Sequence, residues 1–128
     1  MISLNNISVY IRTAGAAVYL LGEENCRPDA KTALPGEVFA RMLALAPGAG
    51  KVESLKTVQD GAVRTELFAL VPKAPDYDAL EELTAEIIRQ LRALKADRVE
   101  ILLGDTALGQ LTGAFYKQLW LSGYGFDL

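Results

Sequence analysis

The chain has 128 residues, of which 51% are hydrophobic and 23% charged, and its formal net charge is −3. This length suits one domain with a substantial core, and this composition excludes an intrinsically disordered chain. The acidic balance disfavours a nucleic acid partner, and no apolar run is long enough to span a membrane. The single cysteine, Cys26, fits a reducing compartment, and no signal peptide precedes the first element, so we predict a cytoplasmic protein.

The first half of the chain predicts two strands and one short helix. Residues 7–11 alternate apolar and mixed side chains, which is typical of a strand with one buried face. Residues 16–21 are continuously apolar, which indicates a strand covered on both faces. The polar stretch 22–35 predicts a loop. A short amphipathic helix is expected after Pro35, and it ends at the Pro-Gly-Ala-Gly sequence of residues 47–50.

The second half predicts a hairpin, a long helix, a strand and a closing helix. Residues 51–58 form a marginal strand, and Asp60-Gly61 favours a tight turn into the next strand, which Pro72 ends. Asp76 and Asp78 are interpreted as capping residues of a helix over residues 78–96, and Asp78 and Glu81 form a possible capping box. A strand at 99–103 and an amphipathic helix from Leu108 to about Leu121 follow.

This order of elements predicts the fold class and the domain boundaries. Strand–helix–strand units imply crossover connections, some parallel pairing, and helices that cover the sheet. We therefore predict an α/β fold, a three-layer α/β sandwich with a mixed, partly parallel sheet. Residues 1–121 are expected to form one domain, and residues 122–128 the start of a linker.

Most chemistry-bearing residues have a structural interpretation. The chain contains no histidine, which removes the usual base of serine and cysteine nucleophiles, and one cysteine cannot build a thiolate zinc site. Glu81, Glu82 and Glu86 share the polar face of the long helix, where carboxylates are hydrated. Glu23 and Glu24 lie in a predicted loop, where a functional role is more common.

Three local patterns were weighed as ligand sites. Gly104 and Gly109 have the spacing of a phosphate-binding loop between a strand and a helix, but Gln110 and Leu111 stand where that loop needs lysine and then serine or threonine. Helix capping by Asp105 or Thr106 is therefore the preferred interpretation. The glycine-rich residues 47–50 follow a helix rather than opening one. Cys26, beside Arg27, is either a reactive thiol of lowered pKa or a bystander.

Aromatic side chains near the end of the chain predict an interface. Tyr116, Trp120, Tyr124 and Phe126 lie on or just after the closing helix. Aromatic residues are enriched where surfaces of two domains or subunits meet. We therefore predict that these four side chains pack on another domain or subunit.

The same segment resembles the end of the N-terminal domain of the cytosol leucyl aminopeptidase family. In that family a helix rich in small residues leads to a Tyr-Arg-Phe-Asp segment, and here Tyr124, Phe126 and Asp127 match while Gly125 stands in place of the arginine. The strand, long helix and strand that precede this segment also follow the order of that domain. The resemblance implies a macro-domain-like fold and a non-catalytic domain that packs on its own catalytic domain in a hexamer.

The resemblance implies cofactors only for the rest of such a protein. A catalytic domain of that family holds two divalent metals, zinc or manganese, which activate the water that attacks the peptide. This chain has none of those ligand motifs, so neither a catalytic nor a metal-binding residue is assigned in it.

Two alternative functions stay open. One is a stand-alone macro-like module that binds a nucleotide such as ADP-ribose, with Glu23 and Gly104 as its only candidates, and the other is a structural adaptor.

Overall fold

A computed structural model describes residues 2–5, 15–59, 61–74, 76–94 and 99–105, together with residues 108, 109, 111, 113, 114 and 117. Within these residues, five strands form a single sheet with the order β1-β5-β2-β4-β3. The strands are β1 (Ile2–Asn5), β2 (Ala16–Gly22), β3 (Val52–Gln59), β4 (Ala62–Val71) and β5 (Val99–Leu103). The helices are α1 (Gly36–Leu45) and α2 (Tyr77–Leu94), and residues 109, 111, 113, 114 and 117 are also helical.

The sheet is mixed. Strands β1, β5, β2 and β4 pair in parallel, whereas β3 pairs antiparallel with β4 at the edge. Gln59 is opposite Ala62 in that hairpin, so residues 60 and 61 make the connection. Gly61 has a φ of 81°, a conformation that glycine adopts without steric penalty. The predicted turn at this position is confirmed for Gly61.

Two hydrophobic clusters cover the two faces of the sheet. On one face, α2 and the helical residues Leu111 and Ala114 pack against alternate residues of β2, β4 and β5 such as Val18. On the other face, α1 packs through Val38 and Met42 against the intervening residues of the same strands. The protein therefore has three layers, helix–sheet–helix, and the predicted α/β class with a mixed, partly parallel sheet is confirmed. Strands covered on both faces explain why β2 is continuously apolar.

The capping role predicted for Asp76 is confirmed, whereas the other details of the helix ends differ from the predictions. The side chain of Asp76 accepts a hydrogen bond from the backbone N–H of Ala79 at 2.7 Å, so Asp76 caps α2. The capping box predicted for Asp78 and Glu81 is therefore wrong, because α2 begins one residue earlier, at Tyr77. At the end of α1, Ala46 has a φ of 43° and donates its N–H to the carbonyl of Met42. This is the left-handed position that glycine usually occupies.

Three predictions concern residues outside the described part of the chain or were incomplete. The strand predicted at residues 7–11 and the linker predicted at 122–128 lie outside the described residues, and β1 was not predicted at all. The strand predicted as marginal at 51–58 is the eight-residue β3. Neither α2 nor any other helix among the described residues combines the length and apolarity that crossing a bilayer requires.

Candidate site at the carboxyl ends of the parallel strands

A cavity lies where the parallel strands β2, β4 and β5 end. After β2 the chain passes to α1 on one face of the sheet, whereas after β4 and β5 it passes to helical residues on the other face. Connections that leave neighbouring strands toward opposite faces open a crevice at the edge of the sheet. Ligands of open α/β sheets bind in such crevices. The position of the cavity therefore makes it the first candidate site in this fold.

The cavity has a volume of about 190 Å³ and two chemically different parts. Its polar rim carries Glu23 and Glu24 after β2, Lys73 after β4 and Asp105 after β5. Its apolar part is built by buried side chains of β4, of α2 and of the helical segment, which comprises the helical residues that follow β5. These side chains are Val71, Leu80, Leu108 and Leu111. An apolar pocket with a few polar groups at its mouth is the usual form of a small-molecule site.

Two side-chain hydrogen bonds connect the three loops of the rim. Glu23 Oε1 accepts the backbone N–H of Lys73 at 2.6 Å, which joins the loop after β2 to the loop after β4. Asn25 donates its side-chain amide to the carboxylate of Asp105, which joins the first loop to the loop after β5. The adjacent Ala74 has a φ of 48°, a conformation that an L-residue adopts at a cost of about 1–2 kcal/mol. The rim is therefore fixed by contacts between loops that are distant in sequence.

Gly104 has a packing role at the end of β5. A Cβ at this position would lie 2.7 Å from Leu34 Cγ and 2.8 Å from Thr32 Oγ1, closer than such atoms approach. The carbonyl of Gly104 accepts hydrogen bonds from the Thr32 hydroxyl at 2.9 Å and from the N–H of Ala33 at 3.0 Å, and its own N–H is donated to Leu20. These contacts hold the loop that precedes α1 against β5. They favour the structural interpretation of this glycine over a phosphate-binding loop.

A buried polar cluster lies on the α1 face of the sheet. Tyr19 donates its hydroxyl to Glu66 Oε2 at 2.9 Å and accepts a hydrogen bond from Arg64 at 3.1 Å. Arg41 of α1 forms an ion pair with the same Glu66 carboxylate, with Nε 3.0 Å from Oε1. Tyr19 and Glu66 are fully buried, and Arg64 is 2% exposed. Glu100, also buried, faces the same side of the sheet from β5, since Glu66 and Glu100 flank Ala17 of β2 from its two neighbouring strands.

This cluster has the composition of a structural network. A buried charge is tolerated when it is paired and hydrogen-bonded, and the Glu66 carboxylate meets both conditions. The aromatic ring of Tyr19 also packs on Phe68, with the ring centroids 5.3 Å apart. The cluster therefore joins α1 to β2 and β4.

Two of the three carboxylates predicted on the polar face of α2, Glu81 and Glu86, are engaged in ion pairs. Glu81 accepts a hydrogen bond from Lys117, whose ammonium also lies over the ring of Tyr77, and the Lys117 ammonium lowers the pKa of Glu81. Glu86 pairs with Arg89, and the hydrogen bonds from that guanidinium lower the pKa of Glu86 to about 2. Both carboxylates are therefore ionised at neutral pH, which is unsuited to general acid catalysis.

The other sequence candidates are placed as follows. Burial raises the pKa of the Cys26 thiol, and Arg27 pairs instead with Asp29 at 3.2 Å, so the possibility of a lowered thiol pKa is wrong. In the glycine-rich residues 47–50, Gly50 donates its N–H to the carbonyl of Leu70. Among the described residues, no three carboxylate or thiol side chains are grouped so that they could hold a metal ion.

The four predicted interface residues are untested by this structure. Tyr116, Trp120, Tyr124 and Phe126 all lie outside the described residues. Of the two candidates for a nucleotide site, Glu23 lines the cavity, whereas Gly104 is not among the lining residues and packs against Leu34 and Thr32.

Sequence reasoning missed Lys73 and the buried cluster. A signal for the cluster was present in the sequence. Glu66 lies on the same face of β4 as the apolar residues Phe68 and Leu70, and Glu100 interrupts an apolar strand. A charged residue within an otherwise apolar strand indicates a buried pair. No local signal singled out Lys73, since its position depends on the end of β4 meeting the loop after β2.

Comparison with known proteins finds a likeness only among solved structures. No protein-family model matches the sequence, and no curated protein is significantly similar to it. A similar solved structure is that of leucyl aminopeptidase from Leishmania major in complex with actinonin, with 10% sequence identity and a TM-score of 0.47. The match covers 85% of this chain and 30% of that chain, so this chain spans less than a third of the length of that protein. At this identity, no residue role carries over from that enzyme.

Proposed function

We propose that this chain is the non-catalytic N-terminal domain of a cytosol leucyl aminopeptidase-like metallo-exopeptidase. The observation that carries the proposal is the Tyr124-x-Phe126-Asp127 ending after a strand, a long helix, a strand and a further helical segment. The strands and the long helix of this order are β4, α2 and β5 in the structure, and helical residues follow them. The proposed role is to pack on the catalytic domain and to support a homo-oligomer, with a hexamer as the expected state.

The proposal assigns the chemistry to the remainder of the parent protein. Two divalent metals, zinc or manganese, would be held there and would activate the attacking water. In this chain, Glu66, Glu81 and Glu86 are engaged in ion pairs that stabilise the fold, and the sequence contains no histidine. The residues proposed to contact the catalytic domain are Tyr116, Trp120, Tyr124 and Phe126, because aromatic side chains dominate the binding energy of such interfaces.

The first test is to sequence the source locus beyond the codon for Leu128. We expect an open frame of several hundred codons, and a stop codon directly after Leu128 would overturn the proposal. The protein encoded by the whole frame is then expected to hydrolyse leucine 4-nitroanilide with zinc or manganese. An extended frame whose product lacks this activity would also contradict the proposal.

The second test examines the interface. In the whole protein, Trp120→Ala together with Tyr124→Ala is expected to lower the molar mass measured by light scattering, since central aromatic residues each contribute about 2 kcal/mol or more to an interface. Val58→Ala is the control, because Val58 is an exposed apolar residue of β3 outside the proposed contact. An unchanged mass in the double variant would remove these residues from the interface.

The alternative, a stand-alone module that binds ADP-ribose or a similar nucleotide, has one supporting observation, the position of the cavity at the carboxyl ends of the strands. Two other properties favour a different ligand. The volume of about 190 Å³ is below the roughly 300–1,000 Å³ of pockets for drug-sized molecules. Three carboxylates at the rim, Glu23, Glu24 and Asp105, against one lysine would repel a diphosphate. Calorimetric titration with ADP-ribose tests this alternative directly.

A further inference from the structure

We propose that the cavity at the carboxyl ends of β2, β4 and β5 binds a small zwitterion with an apolar side chain, that is, a free apolar α-amino acid such as leucine. The inference comes from the shape and chemistry of the cavity. It does not depend on the proposed role as an aminopeptidase domain.

The inner part of the cavity selects for an apolar group. Val71, Leu80, Leu108 and Leu111 line it, and their exposed fractions are 4%, 5%, 6% and 1%. These side chains come from a strand, a long helix and the helical segment, so the wall is formed by the fold rather than by a single loop. Each methylene that a ligand buries here strengthens binding about fourfold. A branched aliphatic side chain of three or four carbons therefore supplies most of the binding free energy.

The rim supplies charges of both signs. Lys73 and Glu24 are exposed residues among those that line the cavity, and neither forms an ion pair with another residue in the part of the chain that the structure describes. Glu23 and Asp105 are held by loop contacts and keep the rim in place. An α-amino acid presents an ammonium and a carboxylate on one carbon. The proposal assigns the ligand ammonium to Glu24 and the ligand carboxylate to Lys73.

The volume limits the size of the ligand. A cavity of about 190 Å³ is below the roughly 300–1,000 Å³ of pockets for drug-sized molecules. This size favours a ligand as small as an amino acid over a nucleotide or an extended peptide. Glycine would fill the rim and leave the apolar wall in contact with water.

The experiment is isothermal titration of the 128-residue chain with L-leucine, glycine, L-leucinamide and 4-methylpentanoate. We expect saturable binding of leucine, and affinity for glycine weaker by at least about thirtyfold, because three to four methylene equivalents are lost. Leucinamide lacks the carboxylate and 4-methylpentanoate lacks the ammonium. Each is expected to bind about two- to fivefold more weakly than leucine, since an exposed ion pair contributes about 0.2–1 kcal/mol.

Two rim variants connect the binding to this cavity. Lys73→Gln is expected to remove the preference for leucine over leucinamide, and Glu24→Gln the preference for leucine over 4-methylpentanoate. The matched controls are Lys31→Gln and Glu37→Gln, which change exposed residues of the same types outside the cavity and should leave both preferences intact. Amide NMR shifts of Gly22, Lys73 and Ala74 on titration with leucine give an independent map of the site.

Three results would overturn the proposal. The first is the absence of saturable leucine binding up to about 10 mM, a concentration at which even interactions of about 3 kcal/mol are visible. The second is leucine binding whose ligand preferences are the same in both rim variants as in the controls. The third is ADP-ribose binding that shifts the same amides, which would assign the cavity to a nucleotide instead.

Discussion

Removal of one buried hydroxyl, in Tyr19→Phe, measures how strongly the polar cluster holds α1 to the sheet. The hydroxyl donates to Glu66 Oε2 at 2.9 Å and accepts from Arg64 at 3.1 Å, and Tyr19 has no exposed surface. Phenylalanine retains the ring and its contact with Phe68, so the substitution removes polar contacts and little packing. The change in unfolding free energy therefore reports on the hydrogen bonds.

The magnitude follows from the charges of the partners. A hydrogen bond to a charged group contributes about 1.5–3 kcal/mol, so two such bonds give about 3–6 kcal/mol. The variant also avoids the burial of the hydroxyl itself, which offsets about 1–3 kcal/mol. We expect Tyr19→Phe to destabilise the protein by about 2–3 kcal/mol, a considerable fraction of the roughly 5–15 kcal/mol that stabilises a domain.

Urea denaturation followed by circular dichroism is the assay. The midpoint should fall while the slope of the unfolding free energy against urea stays constant, because the exposed area on unfolding is unchanged. Tyr77→Phe is the matched control, since Tyr77 is 56% exposed and its hydroxyl, although it contacts Lys117, is accessible to water. A loss below about 0.5 kcal/mol in both variants would refute the view that the Tyr19 hydroxyl is part of a desolvated network.

Three further predictions concern other parts of the fold. Gly104→Ala is expected to destabilise the protein by about 1–3 kcal/mol, because the added Cβ overlaps the loop before α1. Gly36→Ala is the control in the same urea assay and should be neutral or stabilising, because no described atom lies within 4 Å of its added Cβ. Equal effects of the two variants would contradict the close packing at Gly104. Ala46→Gly should stabilise the protein by about 0.5–1 kcal/mol, because glycine adopts the left-handed backbone conformation without strain. Only part of this gain is offset by the greater conformational entropy of glycine in the unfolded chain. A lower thermal midpoint in the variant would contradict the strain at Ala46. The pKa of Glu86 is lowered to about 2 from an ordinary 4.5, so the carboxylate adds stability that is complete above pH 4.5 and is lost as the pH falls toward 2. Glu86→Gln should therefore flatten the curve of unfolding free energy against pH between pH 5 and pH 2. Parallel curves for variant and wild type would show that the pair with Arg89 makes no contribution.

Periodicity alone determined the class of the fold and the positions of most elements. The continuous apolar run of β2 predicted a strand covered on both faces. The three- and four-residue spacing of Leu80, Leu83, Ile87, Leu91 and Leu94 predicted the buried face of α2, and the first four are buried whereas Leu94, at the end of the helix, is 38% exposed. Both signals are local, since burial is set by which side chains share a face of one element. The turn at Gly61 was equally local, because a positive φ selects glycine from the sequence.

Only the tertiary structure decided which distant residues meet. Glu23 contacts the backbone of Lys73, and Asn25 contacts Asp105, because β2 lies between β4 and β5 in the sheet. The pattern of apolar residues identifies the faces of a strand but not its neighbours, so neither the cavity nor its mixed charge was visible in the sequence. The partners of Glu66 were likewise not visible in the sequence. Its carboxylate is paired with Arg41 of α1 and accepts a hydrogen bond from the Tyr19 hydroxyl, and these contacts exist only when the helix and the sheet have packed together.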